Sequence, residues 1–366
     1  MKLSSYFLVS VFLILISIPL VGDLTGLTTD QKLNENKFVK GYDSLPLSQK
    51  VALYLKNYDS KFWGREYLVK AYIKLKKDFF KISPLPEKVL IGKSGWLFLT
   101  DYGAMDDYRN VRPFLNTQLD SIETYLTKVA HDLREKQMRL YVIVVPDKHT
   151  IYPEYLPENV RKIRSTSRLQ QLEERLKSKF DFEFINLTDT LLSSKQQGYL
   201  YYKQESHWND LGTFIGYQKV MKSMKKDFPK LNVVELATCK VYLSAESDLD
   251  LAKLLGEPIE YTESTQRIEP ANGDQIIRVE SGVTIPPAKR LNPNYAFRKV
   301  NSGVTGPSVL VYRDSFFGSL VPFFEQSFAE STYIWTNDVE LAYAKQESTQ
   351  VVVLQIAERH IDLLTH

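Results

Sequence analysis

An α/β protein with a parallel central sheet is what this sequence predicts, and three observations carry the prediction. Apolar runs at Leu140–Val145, Ser308–Tyr312 and Val351–Ile356 have the character of strands covered on both faces. Segments with apolar residues every three or four positions separate them, as crossover helices require. The Ser308–Tyr312 run passes directly into Arg313-Asp314-Ser315-Phe316 and a helical pattern. Such a strand-to-helix turn lifts a serine hydroxyl over the carboxyl end of a parallel sheet.

The elements follow in order. Tyr6 to Val21 is almost wholly apolar, which with its flanks gives about 17–20 residues, or roughly 25–30 Å of helix at ~1.5 Å per residue. Residues 1–22 therefore read as a membrane anchor or signal segment. Small residues are not placed as a cleavage site needs, which favours an uncleaved anchor. Lys2 precedes the segment and Asp23 follows it, so the positive-inside rule sets the body of the chain outside the cytoplasm. That is the periplasmic or extracytoplasmic face of the inner membrane.

Residues 23–86 form a polar, helical N-terminal region. Leu45, Val51, Leu53 and Tyr54 give it one apolar face. A second runs from Tyr67 through Leu68, Tyr72, Ile73 and Leu75 to Phe80 among five lysines, an amphipathic helix whose basic side could also meet anionic lipid head groups. Ser83-Pro84-Leu85-Pro86 breaks the pattern. A catalytic domain over 87–366 opens with a hairpin, Val89–Ile91 and Trp96–Leu99, across Gly92-Lys93-Ser94-Gly95. A helix capped near Asn116 carries Leu119, Ile122, Leu126, Val129 and Leu133; another carries Leu169, Leu172 and Leu176 before a strand at Phe182–Leu187. Asn209 caps a further helix that Pro229 ends. Periodicity weakens from about 229 to 306, which reads as an insertion on the active-site side. The alternation then resumes as helix 316–328, strand Thr332–Trp335, helix 337–346 and the last strand.

Composition excludes several classes. A net charge of +3 over 366 residues gives no basic footprint for nucleic acid. The single Cys239 excludes an intrachain disulfide or a cysteine zinc cluster, and neither a histidine pair at ligand spacing nor an Asp/Glu cluster suggests a metal. No phosphate-binding glycine loop is present, so no cofactor is expected.

A serine hydroxyl needs a base to become a nucleophile. Five histidines are available. His131 falls mid-helix, His360 and His366 fall on a tail expected to fray, and His149 follows a strand end and competes. His207 has Glu205 two residues before it, on the same side if the backbone is extended. Glu205 would hold the tautomer that turns the other imidazole nitrogen toward Ser315. An Asp-Ser pair before an apolar helix is also what N-capping selects, and the two roles are compatible. Amides of Ser315 and Phe316 are candidate oxyanion donors, with Asp314 tying down the turn.

Gly92-Lys93-Ser94-Gly95-Trp96-Leu97-Phe98 resembles the "GKDGWLF" signature of the alginate O-acetyltransferase family, the SGNH-hydrolase-like acetyltransferases of exported polysaccharides. Collinear matches follow: Val145-Pro146-Asp147-Lys148 and Tyr152–Pro157 with "P-x-K…YPE-x-LP", Glu205–Trp208 with "D-x-HW", Leu249–Gly256 with "GDLAKMLG", Asp314-Ser315-Phe316 with "GDSF", and Glu358-Arg359 with a terminal "E-R". The resemblance spans about 60–360. It implies a three-layer α/β/α fold with Ser315 as nucleophile, His207 as base and Glu205 as orienting acid. The serine follows the histidine by 315 − 207 = 108 residues, a permuted order for this fold. Glu205 departs from the family's aspartate and Arg313 from its glycine, so Arg313 must turn away from the nucleophile or bind an anionic sugar. Trp96, Lys148, Tyr152 and Trp208 are further groove candidates.

The expectation is an anchored, extracytoplasmic O-acetyltransferase acting on a polysaccharide hydroxyl through an acyl-serine. The resemblance implies a multispanning membrane O-acyltransferase partner that relays acetyl groups. An acetyl esterase of the same fold and a non-catalytic polysaccharide-binding subunit are the alternatives.

Overall fold

The computed structural model describes residues 2–24, 46, 64–80, 82–179, 181–255, 262–271, 275–279, 295–341 and 349–365. It divides into two compact units, Met1–Pro84 and Leu85–His366. In the first, α1 runs Lys2–Leu24 and exposes the apolar side chains described between Tyr6 and Val21. Among the described residues no helix is long and apolar enough to cross a membrane. Helix α2, Arg65–Lys74, continues as a π-turn over Leu75–Phe79. Ile73 is buried, while Tyr67, Leu68, Tyr72, Leu75, Phe79 and Phe80 are exposed. Leu45, Val51, Leu53 and Tyr54 lie outside the described residues.

The second unit opens with β1, Val89–Ile91, and β2, Leu97–Leu99, an antiparallel pair. Their turn needs left-handed backbone at Ser94 (φ 54°) and Gly95 (φ 78°), which glycine adopts without steric cost. Then come α3 (Ala104–Tyr108), α4 (Asn116–Arg134), β3 (Arg139–Val145), α5 (Lys148–Ile151), α6 (Arg168–Leu176), β4 (Glu183–Asn186), α7 (Thr188–Ser194) and α8 (Asp210–Met224). These are followed by β5 (Cys239–Glu246), α9 (Asp250–Leu254), β6 (Glu263–Pro270), β7 (Ile276–Val279), β8 (Ala296–Asn301), β9 (Ser308–Arg313), α10 (Val321–Ser327), β10 (Glu330–Trp335) and β11 (Thr349–Ala357).

The central sheet has the order β4-β3-β11-β9-β10-β8-β7. Its first five strands are parallel, while β8 pairs antiparallel with β10 and β7 antiparallel with β8. The wholly parallel sheet expected from the alternation is thus extended by an antiparallel edge. That edge comes from β7 and β8, in the part of the sequence where the helical period is lost. Strand alternation divides the core between two faces. Tyr141, Ile143, Val145, Val309, Val311 and Val353 pack on one side with α8 and α10. Leu140, Val142, Val144, Leu310, Tyr312 and Leu354 pack on the other with α4 and α6. The result is the three-layer α/β/α arrangement, held by burial of apolar residues on both faces.

Strands β5 and β6 form a separate antiparallel ribbon that packs over α8. No helix occupies 337–341: Val339 is buried and its amide donates to Tyr125 Oη at 2.9 Å, so a tertiary bond overrides the local period. The remainder of that expected helix, 342–346, lies outside the described residues. The tail that carries His360 is not frayed. Glu358–Leu364 is a 3₁₀ turn that buries Ile361 and Leu364 against the sheet.

Candidate active site

Three parallel strands, β3, β11 and β9, lie side by side and end together, delivering Asp147, Glu358-Arg359 and Asp314-Ser315 to one edge. This is where an open α/β sheet presents its ligand crevice. Asp314 caps the turn after β9. Its Oδ1 accepts from the Phe316 amide at 2.9 Å and its Oδ2 from the Ala357 amide at 2.6 Å, while its own amide donates to Gln355 Oε1 at 3.2 Å. Burial alone would raise its pKa, but these donors, with His360 and Arg359, hold it below the ordinary aspartate value. Ser315 therefore stands on a turn fixed to the end of the neighbouring strand β11. The Phe316 amide, a candidate oxyanion donor in the sequence, is committed to Asp314.

Behind this turn, Arg359 pairs with Asp147 through its guanidinium, and its amide donates to Asp147 Oδ2 at 3.0 Å. Glu358 Oε2 accepts from the Asp147 amide (2.9 Å) and from Thr150 Oγ1 (2.7 Å). Burial, then the charges of Asp147 and Asp107, push Glu358 up to about 8. A protonated Glu358 lets two buried acids sit side by side.

His207 reaches Ser315 from a loop instead of a strand. Residues 202–207 bend between Tyr201 and Trp208, which form an antiparallel bridge. Same-side placement by extended backbone is therefore not what joins Glu205 to His207. Glu205 folds back instead: Oε2 accepts from the His207 amide at 2.8 Å and Oε1 meets Nδ1 at 2.8 Å. One carboxylate holds both the backbone and the ring, so the extra methylene is absorbed in the loop. Nε2 of His207 lies 2.7 Å from Ser315 Oγ. Burial would lower the His207 pKa, but the hydrogen bond and charge of Glu205 outweigh it and the net shift is upward. Glu205 is correspondingly lowered, against the upward pull of its own burial.

Two residues without an assigned role in the sequence reading hold this loop. Asp250, the first residue of α9, accepts from the Ser206 amide (2.7 Å) and Ser206 Oγ (2.5 Å), and Ser206 Oγ lies 3.3 Å from His207 Nδ1. Its position within the Leu249–Gly256 resemblance was the available signal. Lys203 and Gln204 donate their amides to Glu263 of β6 at 2.8 Å and 3.4 Å. Among the described residues, Glu205, His207 and Asp250 form a grouping of metal-ligand type. Hydrogen bonds to the loop and between the members account for its geometry.

Of the groove candidates, Trp208 lines the cleft and the others do not. Lys148 is buried, and its Nζ donates to the carbonyls of Tyr202 (3.1 Å), Lys203 (3.0 Å) and Glu205 (2.8 Å). Burial pulls it down to about 8 despite the acids Asp250, Glu205 and Glu263. It clamps the His207 loop from within and does not line the cleft. Trp96 and Tyr152 are buried, with ring centroids 4.6 Å apart, and Tyr152 Oη accepts from the Leu200 amide at 2.8 Å. Trp208 borders the cleft but is nearly fully buried, its Nε1 donating to Phe316 O at 3.1 Å. Arg313 turns away from Ser315 and stacks 4.6 Å from Trp335 and 5.5 Å from Phe297. Of the competing histidines, His149 is buried between Phe98 and Tyr108 and burial pushes it down to about 4. His360 faces Asp314 Oδ2 at 3.8 Å.

Above Ser315 and His207 opens a cleft of about 410 Å³. The β5–β6 ribbon walls it with Glu246, Arg267, Ile268 and Glu269; Gly318, Ser319 and Phe323 line the opposite side. A hydroxyl hydrogen-bonded to an imidazole, itself oriented by a carboxylate, beneath an open cleft is equipped for acyl transfer.

Comparison with known proteins converges on the same chemistry. The family described as "SGNH hydrolase-like domain, acetyltransferase AlgX" matches residues 89–276. The "Probable alginate O-acetylase AlgJ" of Pseudomonas syringae pv. tomato is 24% identical over 290 residues, 75% of this chain and 69% of that protein. Among solved structures, Bacillus cereus PatB1 superposes with a TM-score of 0.51 at 15% identity, over 76% of this chain and 97% of that one. A DHHW family protein from Eubacterium siraeum gives 0.52 at 15% identity, over 76% and 95%. At such identities the structural likeness speaks for the fold alone. The family match, covering just over half of the 366 residues, carries the assignment: this chain belongs to the SGNH hydrolase-like acetyltransferases of the AlgX family.

Proposed function

We propose that this protein transfers an acetyl group to a hydroxyl of an exported polysaccharide through an acetyl-Ser315 intermediate. The observation that carries the reading is the continuous relay Glu205–His207–Ser315, with contacts of 2.8 Å and 2.7 Å, at the floor of the cleft. Nε2 of His207 takes the Ser315 proton as Oγ bonds to the donor's acetyl carbon. It then passes that proton to the leaving oxygen as the bond to the donor breaks. In the second half, His207 deprotonates the sugar hydroxyl, whose oxygen displaces Ser315, and the proton returns to Oγ. Glu205 stays ionised and stabilises the imidazolium. The Ser315 amide serves as an oxyanion donor.

The exposed apolar residues of α1 support attachment of the enzyme to the inner membrane, with its body on the extracytoplasmic face. Lys2 before the segment and Asp23 after it support that orientation. Acetyl-CoA is absent there, so a multispanning membrane O-acyltransferase supplies the acetyl group.

Incubation of purified protein with an activated acetyl ester, with and without oligosaccharides, tests the reaction. The expected result is O-acetylated oligosaccharide that Ser315→Ala does not form although it folds. Acetate release alone, unchanged by acceptors, would identify an esterase, and a fully active Ser315→Ala would refute the nucleophile.

A further inference from the structure

The cleft above Ser315 is acidic. Among the described residues, and apart from Glu205, its lining carries four carboxylates, Asp210, Glu246, Asp248 and Glu269, against one cation, Arg267. That cation is shared between acids, 3.3 Å from Asp210 Oδ2 and 3.6 Å from Glu246 Oε1. Asp248 pairs with Lys253, just outside the lining. Glu269 Oε1 accepts from Tyr242 Oη at 2.5 Å, a hydrogen bond that brings no compensating charge. Among the described residues, four negative charges and two positive ones give the cleft a balance of −2, beyond the Glu205–His207 pair.

A polyuronate carries one carboxylate per residue, and each would need a cation or a set of donors as it entered. Here the lining cation is already engaged, and the cations first expected to meet acidic sugar are buried elsewhere: Lys148 under the His207 loop and Arg313 against Trp335. Like charges in a concave, partly desolvated site repel, and opposite charges steer.

On the transferase reading above, we infer that the acceptor is a glycan free of carboxylates and bearing protonated amines, an amino-sugar polymer with some unacetylated nitrogen. Glu269 and Glu246, on the β5–β6 wall, receive the ammonium groups of sugars flanking the one whose hydroxyl reaches His207. Asp210 holds the wall in place by accepting the Ile268 amide at 3.0 Å.

The test uses the full chain carrying Ser315→Ala, so that binding is read without turnover. Three oligosaccharides of equal length are titrated at low ionic strength: partly N-acetylated oligoglucosamine, a neutral oligoglucan and oligomannuronate. Oligoglucosamine should bind at least tenfold tighter than oligomannuronate, with the neutral oligomer between them, and added salt should compress the series. Glu269→Gln should reduce the oligoglucosamine preference several-fold. Equal or tighter binding of oligomannuronate, or a preference indifferent to salt and to Glu269→Gln, would overturn the inference. Acetylation of Ser315 in the unsubstituted protein by an activated ester is measured in parallel. If Ser315 is acetylated and the acceptors rank otherwise, the acceptor class alone is wrong; if it is not acetylated, the transferase reading fails with it.

Discussion

Ser315 is flanked by two histidine–carboxylate pairs, and only one of them is built as a relay. On one side, His207 Nδ1 lies 2.8 Å from Glu205 and its Nε2 is 2.7 Å from the serine hydroxyl. On the other, His360 Nδ1 is 3.8 Å from Asp314, whose carboxylate already accepts the amides of Phe316 and Ala357. Residue types are nearly the same in the two pairs; the backbone around them is not. Asp314 closes a turn between strands, so its charge is used to fix Ser315 in space. Glu205 sits in a loop whose own amides are held by Glu263 and Asp250 and whose carbonyls are held by Lys148. That leaves one oxygen of its carboxylate for the imidazole while the other takes the His207 amide. A carboxylate next to a histidine becomes an orienting acid when other groups satisfy the local backbone.

Substitutions can break each pair separately. Glu205→Gln should cost most in catalysis, about 10²–10³-fold in kcat/KM, since general base catalysis is worth that order. Its pH profile gives the sign. Glu205 raises the His207 pKa, so activity climbs with pH along a limb above 6.5 as the imidazole loses its proton. The glutamine variant should move that limb to lower pH while lowering the plateau. An unmoved limb would mean that Glu205 does not set the charge of His207.

Asp314→Ala should act through stability. Leaving two buried amides unpaired costs about 2–5 kcal/mol, read as a lower denaturation midpoint. Asp314 has a depressed pKa, so its contribution is present above its ordinary value of 3.8 and fades as pH falls through the folded value. The gap between wild type and Asp314→Ala should narrow in acid.

Asp250→Asn should slow turnover by about tenfold or less, since it acts on His207 through Ser206 and through its charge, with no hydrogen bond to the ring. His360→Gln should change kcat less than about threefold, because Asp314 keeps its amide donors and the relay is untouched. A loss from His360→Gln as large as that from Glu205→Gln would erase the distinction between the pairs.

Much of this was legible in the sequence. Parallel strands announce themselves as unbroken apolar runs; β3 ends with its run, and β9 and β11 end one residue beyond theirs. Ser315, His207 and Glu205, which the structure brings together, were singled out because strand-turn-helix geometry and a two-residue carboxylate–imidazole spacing are local signals. What the sequence hid was long-range. Asp250 lies 44 residues from Ser206, and Lys148 lies 57 from Glu205, so no periodicity links them. Trp96 and Lys148 suggested a sugar groove by residue type alone, yet burial turned both into scaffold. The Phe316 amide was claimed by Asp314, a competition decided by the turn and not by composition.

The most direct check is the rate at which a serine-directed sulfonylating probe modifies the protein across pH, with the modified residue located by peptide mass mapping. The relay requires a single adduct at Ser315, forming faster as His207 deprotonates and nearly abolished in His207→Gln. Adduct on another residue, or a Ser315 rate that ignores both pH and the loss of His207, would contradict it.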